Sequence, residues 1–147
     1  TTIIAAVELG RRMDTKNIPK KYMIQESSDV YHLLKEDLSH LPKEHLIVLC
    51  VDIKGQLLKK ETIYIGTTSS IQVAVKDVFK SAVRIGCFGI IVVHNHPSGD
   101  ANPSVSDLDL TRQMEAAGKV LTIELIDHII IGRNEFYSYS KQKMHKL

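Results

Sequence analysis

The feature that most constrains this chain is a short apolar run that leads directly into two histidines. Residues 87–93 are almost entirely apolar and are followed by His94 and, two positions later, His96. A short apolar run of this kind predicts a buried strand, and side chains two apart on a strand point to the same side. The two imidazoles are therefore expected to reach one point beyond the end of the strand.

A hydroxyl and a carboxylate follow the histidines at a spacing that suits the start of a helix. Pro97 ends the strand, and a helical pattern begins near Ser104 and brings Asp107 round in its first turn. Two histidines and one carboxylate, with a fourth position left for water, are the composition of a catalytic zinc site. His94, His96 and Asp107 are therefore the predicted ligands of a Zn²⁺ ion.

The same residues also have a purely structural interpretation. Residues 97–100 carry an ordinary turn signal, and Ser104-x-x-Asp107 resembles a capping box with Asp in place of the usual Glu or Gln. An isolated His-x-His is a weak signal by itself. The combination of strand, paired histidines, turn, serine and aspartate favours the metal site, and a capping role is compatible with a ligand role.

These motifs resemble the signature of the JAMM (MPN-plus) metal-dependent hydrolases, His-x-His-Pro followed by Ser-x-x-Asp. Residues 94–100 and the later run 126–132, Ile-Asp-His-Ile-Ile-Ile-Gly, are most similar to the bacterial RadC-like proteins. The resemblance extends from about residue 5 to residue 132. It implies a zinc metallopeptidase or isopeptidase that cleaves an amide bond in a peptide or protein. It also implies a mixed α/β fold, with a central sheet flanked by helices, similar to the cytidine deaminase architecture.

The resemblance further implies two catalytic residues. The family has a glutamate just ahead of an early core strand, and Glu44 fits that place. By resemblance, Glu44 takes a proton from the water and delivers it to the leaving amine, and Ser104 stabilises the developing oxyanion. Without the family, Glu44 is more simply a solvated charge in a turn, and Ser104 is more simply a helix N-cap.

The chain departs from the family at one point. RadC-like chains usually carry His-Pro-Arg-Glu at the start of the helix that precedes the motif strand, where this chain has residues 73–79, Val-Ala-Val-Lys-Asp-Val-Phe. The predicted ligands are unaffected. The role of the missing histidine near the cleft, including its effect on substrate choice, is not predicted for this chain.

Other polar residues favour structural roles. Asp100 can compete as a ligand but has turn chemistry. His128 is expected to support the site or the fold, because three other residues already supply the ligands. The lysine-rich residues 141–146 are expected to fray. Four further histidines are predicted to be solvated: His32, His40, His45 and His145.

The composition is that of an ordinary globular domain. The chain has 147 residues, of which 44% are hydrophobic and 24% charged, close to the globular average. A formal net charge of +2 does not indicate binding to nucleic acid, although it is compatible with a local basic face. Cys50 and Cys87 lie in apolar runs and are predicted to be buried free thiols of a reducing, cytoplasmic compartment. No apolar run reaches the length of a membrane span.

The hydrophobic pattern predicts alternating helices and strands. Residues 1–25 are interpreted as an N-terminal helix and linker, the remnant of a longer chain, and residues 26–147 as the JAMM/MPN metallohydrolase domain. Helices are predicted at 28–38, 75–85 (stopped by Gly86) and 104–117 (closed by Gly118), and strands at 46–52, 56–65, 87–93, 120–127, 129–132 and 136–139.

Three rival functions are weighed against the hydrolase. In HNH nucleases the named residues are dispersed over a ββα hairpin, whereas residues 94–96 are consecutive here, so this interpretation is not favoured. A nucleobase deaminase uses H-x-E and P-C-x-x-C, and neither is present. The serious alternative is a DNA-repair-associated interaction module whose zinc site is not used for proteolysis. Against it, MPN domains that only scaffold usually lack the ligands. The oligomeric state does not follow from the sequence.

Overall fold

The computed structural model describes residues 21–66 and 73–147. Most of the N-terminal helix and linker predicted over residues 1–25 lies outside these ranges. The described elements are α1 (Ser27–Leu38), β1 (Glu44–Val51), β2 (Leu57–Gly66), α2 (Val75–Ile85), β3 (Gly89–Asn95), α3 (Val105–Leu121), β4 (Glu124–Ile131), β5 (Glu135–Ser138) and β6 (Lys143–Lys146).

The six strands form one mixed sheet in the order β2-β1-β3-β4-β5-β6. Strands β3 and β4 pair in parallel, and the other neighbours are antiparallel. The parallel pair is joined through α3, the crossover that such a pair requires. The predicted fold class, a mixed central sheet flanked by helices, is confirmed.

Strand β3 is buried on both faces of the sheet. Ile91 and Val93 belong to the cluster that includes α1 residues, whereas Ile90 and Val92 pack with residues of α2 and α3. A strand covered on both sides shows a continuous apolar run rather than an alternating one. His94 shares the parity of Val92 and so faces the side of α2 and α3.

The end of α3 corrects a sequence prediction. Gly118 was expected to close this helix, but the helix continues to Leu121 and ends at Thr122, whose φ is 58°. A Cβ on Gly118 would lie 2.4 Å from the backbone oxygen of Ile123. This glycine therefore permits close packing inside the helix. Gly86, in contrast, ends α2 with a φ of 69°, as predicted.

The C-terminal half corrects two further predictions. The strand predicted from residue 120 begins only at Glu124, and it continues without a break through the region predicted as two strands. The tail predicted to fray forms β6 against β5. His145, predicted to be solvated, is half-buried and stacks on Phe136 with ring centroids 4.6 Å apart. Cross-strand pairing holds this basic segment in place despite its composition.

The two cysteines are free and buried, as predicted. Burial raises the pKa of the Cys50 thiol to about 12, and the neighbouring Cys87 adds to this effect. The thiol therefore stays protonated at neutral pH, and the thiolate that reacts with electrophiles is not formed. Within the described ranges, no helix is long and apolar enough to cross a membrane.

Candidate metal centre

Three side chains converge where β3 meets the start of α3. Nε2 of His94 lies 3.0 Å from Nε2 of His96 and 3.2 Å from Oδ1 of Asp107. Nε2 of His96 lies 3.2 Å from Oδ2 of Asp107. Strand alternation brings the two histidines together, and the first turn of α3 brings the carboxylate. Among the described residues, these three form the group of potential metal ligands.

The spacing of these donors fits a small divalent ion. Ligand atoms about 2.0–2.2 Å from a tetrahedral zinc stand about 3.3–3.5 Å from one another. The two Nε2 atoms are 3.0 Å apart, and each lies 3.2 Å from a different oxygen of the Asp107 carboxylate. The residues therefore fit a metal site with three protein ligands.

The loop after β3 sets the orientation of His96. Nδ1 of His96 lies 2.7 Å from the backbone oxygen of Asp100. A carbonyl oxygen can only accept a hydrogen bond, so Nδ1 of His96 carries a proton and donates it, and Nε2 is left to bind a metal. The Asp100 carboxylate accepts from the backbone N–H of Asn102 at 3.0 Å. Asp100 thus has the turn role predicted for it, and its carbonyl contacts His96 directly.

Asp107 is held by the predicted capping box. Its Oδ2 accepts from the backbone N–H of Ser104 at 2.8 Å, and its own N–H donates to the Ser104 hydroxyl at 3.1 Å. Asp107 is 5% exposed, and its carboxylate still faces both histidines. The structural and ligand interpretations of these residues are therefore compatible. The Ser104 hydroxyl accepts in this box, so its proton is left for another acceptor.

Asp107 and the two histidines act on one another electrostatically. Burial acts to raise the pKa of Asp107, but the contacts with His94 and His96 and the bond from the Ser104 N–H together outweigh burial and hold the pKa well below its usual range. Burial acts to lower the pKa of His96, but Asp107, the Asp100 carbonyl and the charge of Glu44 together outweigh it, so the pKa of His96 is raised. A metal ion that binds here therefore competes with a proton for His96.

Glu44 is the first residue of β1 and is half-buried. Leu46 pairs with His94 across the antiparallel β1–β3 ladder, so the chain at Glu44 runs towards His96. The negative charge of Glu44 is one of the causes that raise the pKa of His96. Glu44 therefore lies close enough to act on the ligand cluster, and its catalytic role remains a prediction.

Asn95 connects the Glu44 segment to the ligand strand, a role that the sequence analysis missed. Its side-chain oxygen accepts from the backbone N–H of His45 at 2.7 Å, and its amide donates to the Lys43 carbonyl at 3.0 Å. Asn95 is 1% exposed and holds the residues on both sides of Glu44. The available signal was its place between two ligands, since it must point away from them.

His128 lies behind His94 and outside the ligand group, as predicted. The two rings approach at 2.8 Å, from Nε2 of His128 to Nδ1 of His94. Burial, with a further contribution from His94, lowers the pKa of His128 well below its usual value, so this ring is neutral. Thr111 contacts the far side of His128 and was also missed. Its position one helical turn after Asp107 was the available signal.

Comparisons with known proteins identify the family of this chain. The protein-family match is to the RadC-like JAB domain, over residues 24–144. A UPF0758 protein of Chloroflexus aggregans is 46% identical over 137 residues, which are 93% of this chain and 60% of that protein. A UPF0758 protein of Roseiflexus castenholzii is 41% identical over 134 residues, 91% of this chain and 58% of the relative.

A UPF0758 protein of Bacillus cereus is 40% identical over 145 residues, 99% of this chain and 64% of the relative. The chain spans roughly three fifths of the length of these relatives. The family match covers the ligand strand, the motif loop, α3 and the Glu44 segment. The chain therefore belongs to the RadC-like JAB domain family.

Proposed function

We propose that this domain is a zinc-dependent hydrolase, a metallopeptidase or isopeptidase that cleaves an amide bond. The observation that carries the proposal is the convergence of two Nε2 atoms and one carboxylate within 3.0–3.2 Å of one another. Two imidazoles with a carboxylate suit zinc better than calcium or magnesium, which prefer all-oxygen sites. Three protein ligands leave a position for water, as in catalytic rather than structural zinc sites.

A bound zinc ion supplies Lewis acidity and lowers the pKa of a bound water from near 16 to about 7. Glu44 is the group proposed to take up the proton that the water loses and to return it to the leaving nitrogen. A carboxylate can do both in turn if it stays within reach of the water and the leaving group. The clamp from Asn95 to the residues flanking Glu44 supports this role because it limits movement of that segment.

Ser104 is proposed to donate its hydroxyl proton to the carbonyl oxygen of the scissile bond as negative charge develops there. One such donor is worth about 3 kcal/mol in comparable sites. Its place beside Asp107 in the capping box supports the assignment, because the hydroxyl oxygen is held at the ligand cluster while its proton is still available.

A groove of about 600 Å³ is lined largely by residues of α1 and the segment after it, among them Tyr31 and Lys35, and by none of the predicted ligands or catalytic residues. It therefore carries no argument about the substrate, and the peptide or protein substrate rests on the proposed amide chemistry. The free thiols Cys50 and Cys87 support a cytoplasmic location, where cysteines stay reduced.

The experiment compares zinc-loaded and chelator-treated protein on peptide, isopeptide and DNA substrates, with Glu44→Gln as the matched variant. We expect amide cleavage by the zinc-loaded protein alone. Glu44→Gln should keep its zinc and lose activity by about a hundredfold to ten-thousandfold, the usual range for general acid–base assistance.

Each other outcome assigns the residues differently. If Glu44→Gln loses zinc, Glu44 is a ligand and the proposed ligand set is wrong. If the variant keeps both zinc and full activity, the base lies elsewhere, with Asp100 the next candidate. If zinc-loaded wild type cleaves no amide, the hydrolase proposal fails, and a DNA-repair-associated interaction module becomes the leading interpretation.

A further inference from the structure

A buried chain of hydrogen bonds leads from His94 away from the ligand cluster. His128 lies on β4, where it pairs with Val92 in the parallel β3–β4 ladder. It is 2% exposed, and its Nε2 lies 2.8 Å from Nδ1 of His94. On the other side of the ring, its Nδ1 lies 2.7 Å from the hydroxyl of Thr111. Both nitrogens of His128 are therefore engaged inside the protein.

The Thr111 hydroxyl indicates the direction of this chain. It also lies 2.8 Å from the backbone oxygen of Asp107, which can only accept. A hydroxyl has a single proton to donate. Because Thr111 donates this proton to the carbonyl of Asp107, its hydroxyl oxygen must accept a hydrogen bond from Nδ1–H of His128. His128 is buried, and its two nitrogens contact an imidazole and a hydroxyl but no carboxylate, so nothing there stabilises a charged ring. With its single proton on Nδ1, His128 has only a lone pair on Nε2. It therefore accepts from Nδ1–H of His94.

This direction is the one that a metal needs. An imidazole binds metal through a nitrogen without a proton, and the hydrogen bond at its other nitrogen sets which one that is. We propose that Thr111 and His128 are positioning residues that hold the proton of His94 on Nδ1 and leave the Nε2 lone pair for the metal. This proposal rests on the metal-binding part of the proposed function.

These hydrogen bonds are opposed by a carboxylate on the other side of the His94 ring. The Asp107 carboxylate, 3.2 Å from Nε2 of His94, favours a proton on that nitrogen, which would block the ligand position. The hydrogen bonds run from His94 through His128 and Thr111 to the backbone carbonyl of Asp107. The carboxylate of Asp107 lies on the other side of the His94 ring. Asp107 therefore supplies one ligand and also fixes the hydrogen bonds behind the ligand His94. For His96, the Asp100 carbonyl accepts the Nδ1–H directly and so leaves Nε2 for the metal.

The test compares Thr111→Val, which keeps the shape and loses the hydroxyl, with Thr111→Ser, which keeps the hydroxyl. Zinc affinity is measured by competition with a chelator, beside the free energy of unfolding of each metal-free variant. We expect Thr111→Val to bind zinc about 10- to 100-fold more weakly, the usual effect of removing a group that orients a ligand. Thr111→Ser should bind within a few-fold of wild type. Equal affinity of Thr111→Val and wild type overturns the proposal, as does equal weakening by both substitutions.

A second measurement needs no variant. Imidazole ¹⁵N NMR of wild type shows which nitrogen of His128 carries the proton, with and without zinc. We expect the proton on Nδ1 in the zinc-loaded protein, and a proton on Nε2 overturns the proposal. If wild type binds no zinc, the proposed function fails, and the same spectrum of the metal-free protein still tests the hydrogen-bond direction. This measurement also decides the matter if Thr111→Val does not fold.

Discussion

Asp107 and Asp127 are two buried carboxylates with opposite surroundings. They are 5% and 6% exposed. Asp127 accepts from the backbone N–H groups of His128 at 2.8 Å and Ser140 at 2.9 Å, and from the Ser138 hydroxyl at 2.7 Å. Neutral donors therefore satisfy both of its oxygens, and Asp127 joins β4 to the turn between β5 and β6.

Asp107 has one backbone donor, the N–H of Ser104, and its other neighbours are the two ligand histidines. Imidazole nitrogens stabilise a carboxylate only if they carry a proton or share a cation with it. A buried carboxylate saturated by fixed donors is structural, whereas one whose other neighbours are imidazole nitrogens can share a metal ion with them. Exposure alone does not separate the two, since it is nearly the same at both residues.

The largest expected effect is on zinc affinity when each carboxylate is neutralised in turn. If about 10–16 kcal/mol of zinc binding is shared among three protein ligands, each accounts for about 3–5 kcal/mol. Asp107→Asn should then weaken zinc binding by roughly a few hundredfold to several thousandfold. Asp127→Asn should leave zinc affinity within a few-fold of wild type. Competition with a chromophoric chelator measures both. Equal zinc affinity in Asp107→Asn and wild type would show that Asp107 is not a ligand.

The next effect is the pH dependence of zinc affinity. The pKa of His96 is raised by its bond to Asp107, against burial, so the competing proton is lost only above the ordinary histidine value. The Asp107 pKa is lowered, so this carboxylate stays ionised. Affinity should be constant above the His96 pKa and fall about tenfold per pH unit below it. Titrations from pH 8 to pH 5 test this, and a flat profile excludes histidine ligation.

Loss of either carboxylate should lower the stability of the metal-free protein. Asp127→Asn leaves donors facing an amide N–H₂ and should lower the free energy of unfolding by about 1–3 kcal/mol. Asp107→Asn should also be destabilising, because the lowered pKa of this carboxyl means that its ionised form stabilises the fold at neutral pH. Urea unfolding of the zinc-free variants measures both losses. An Asp127→Asn variant as stable as wild type would show that Asp127 is not a structural carboxylate.

The smallest effect concerns Ser104. Ser104→Ala removes the side chain that accepts from Asp107 N–H but keeps the backbone N–H that holds the Asp107 carboxylate. Unfolding free energy should fall by about 1 kcal/mol, the usual value of an N-cap, and zinc affinity should not change. Parallel urea and chelator measurements check this. A large loss of zinc from Ser104→Ala would mean that the cap itself places the ligand.

Local rules account for the part of the site that the sequence predicted. Strand alternation places His94 and His96 on one side whatever the rest of the chain does, and the Ser104–Asp107 capping box is set by a helix start. Both depend on residues that are close along the chain. The same is true of α2 and its end at Gly86. Such features follow from backbone geometry that a few neighbouring residues decide.

Only the tertiary structure could decide the partners behind these groups. Asn95 holds Lys43 and His45 from 50 or more positions away, and His128 reaches His94 because β4 lies parallel to β3. Pairing with β5 turns a basic tail into β6, and contact with Ile123 explains a glycine within α3. The sequence by itself determines which side chains can point together. The order and register of the strands decide which distant groups meet them, because these contacts depend on how the whole sheet buries its two faces.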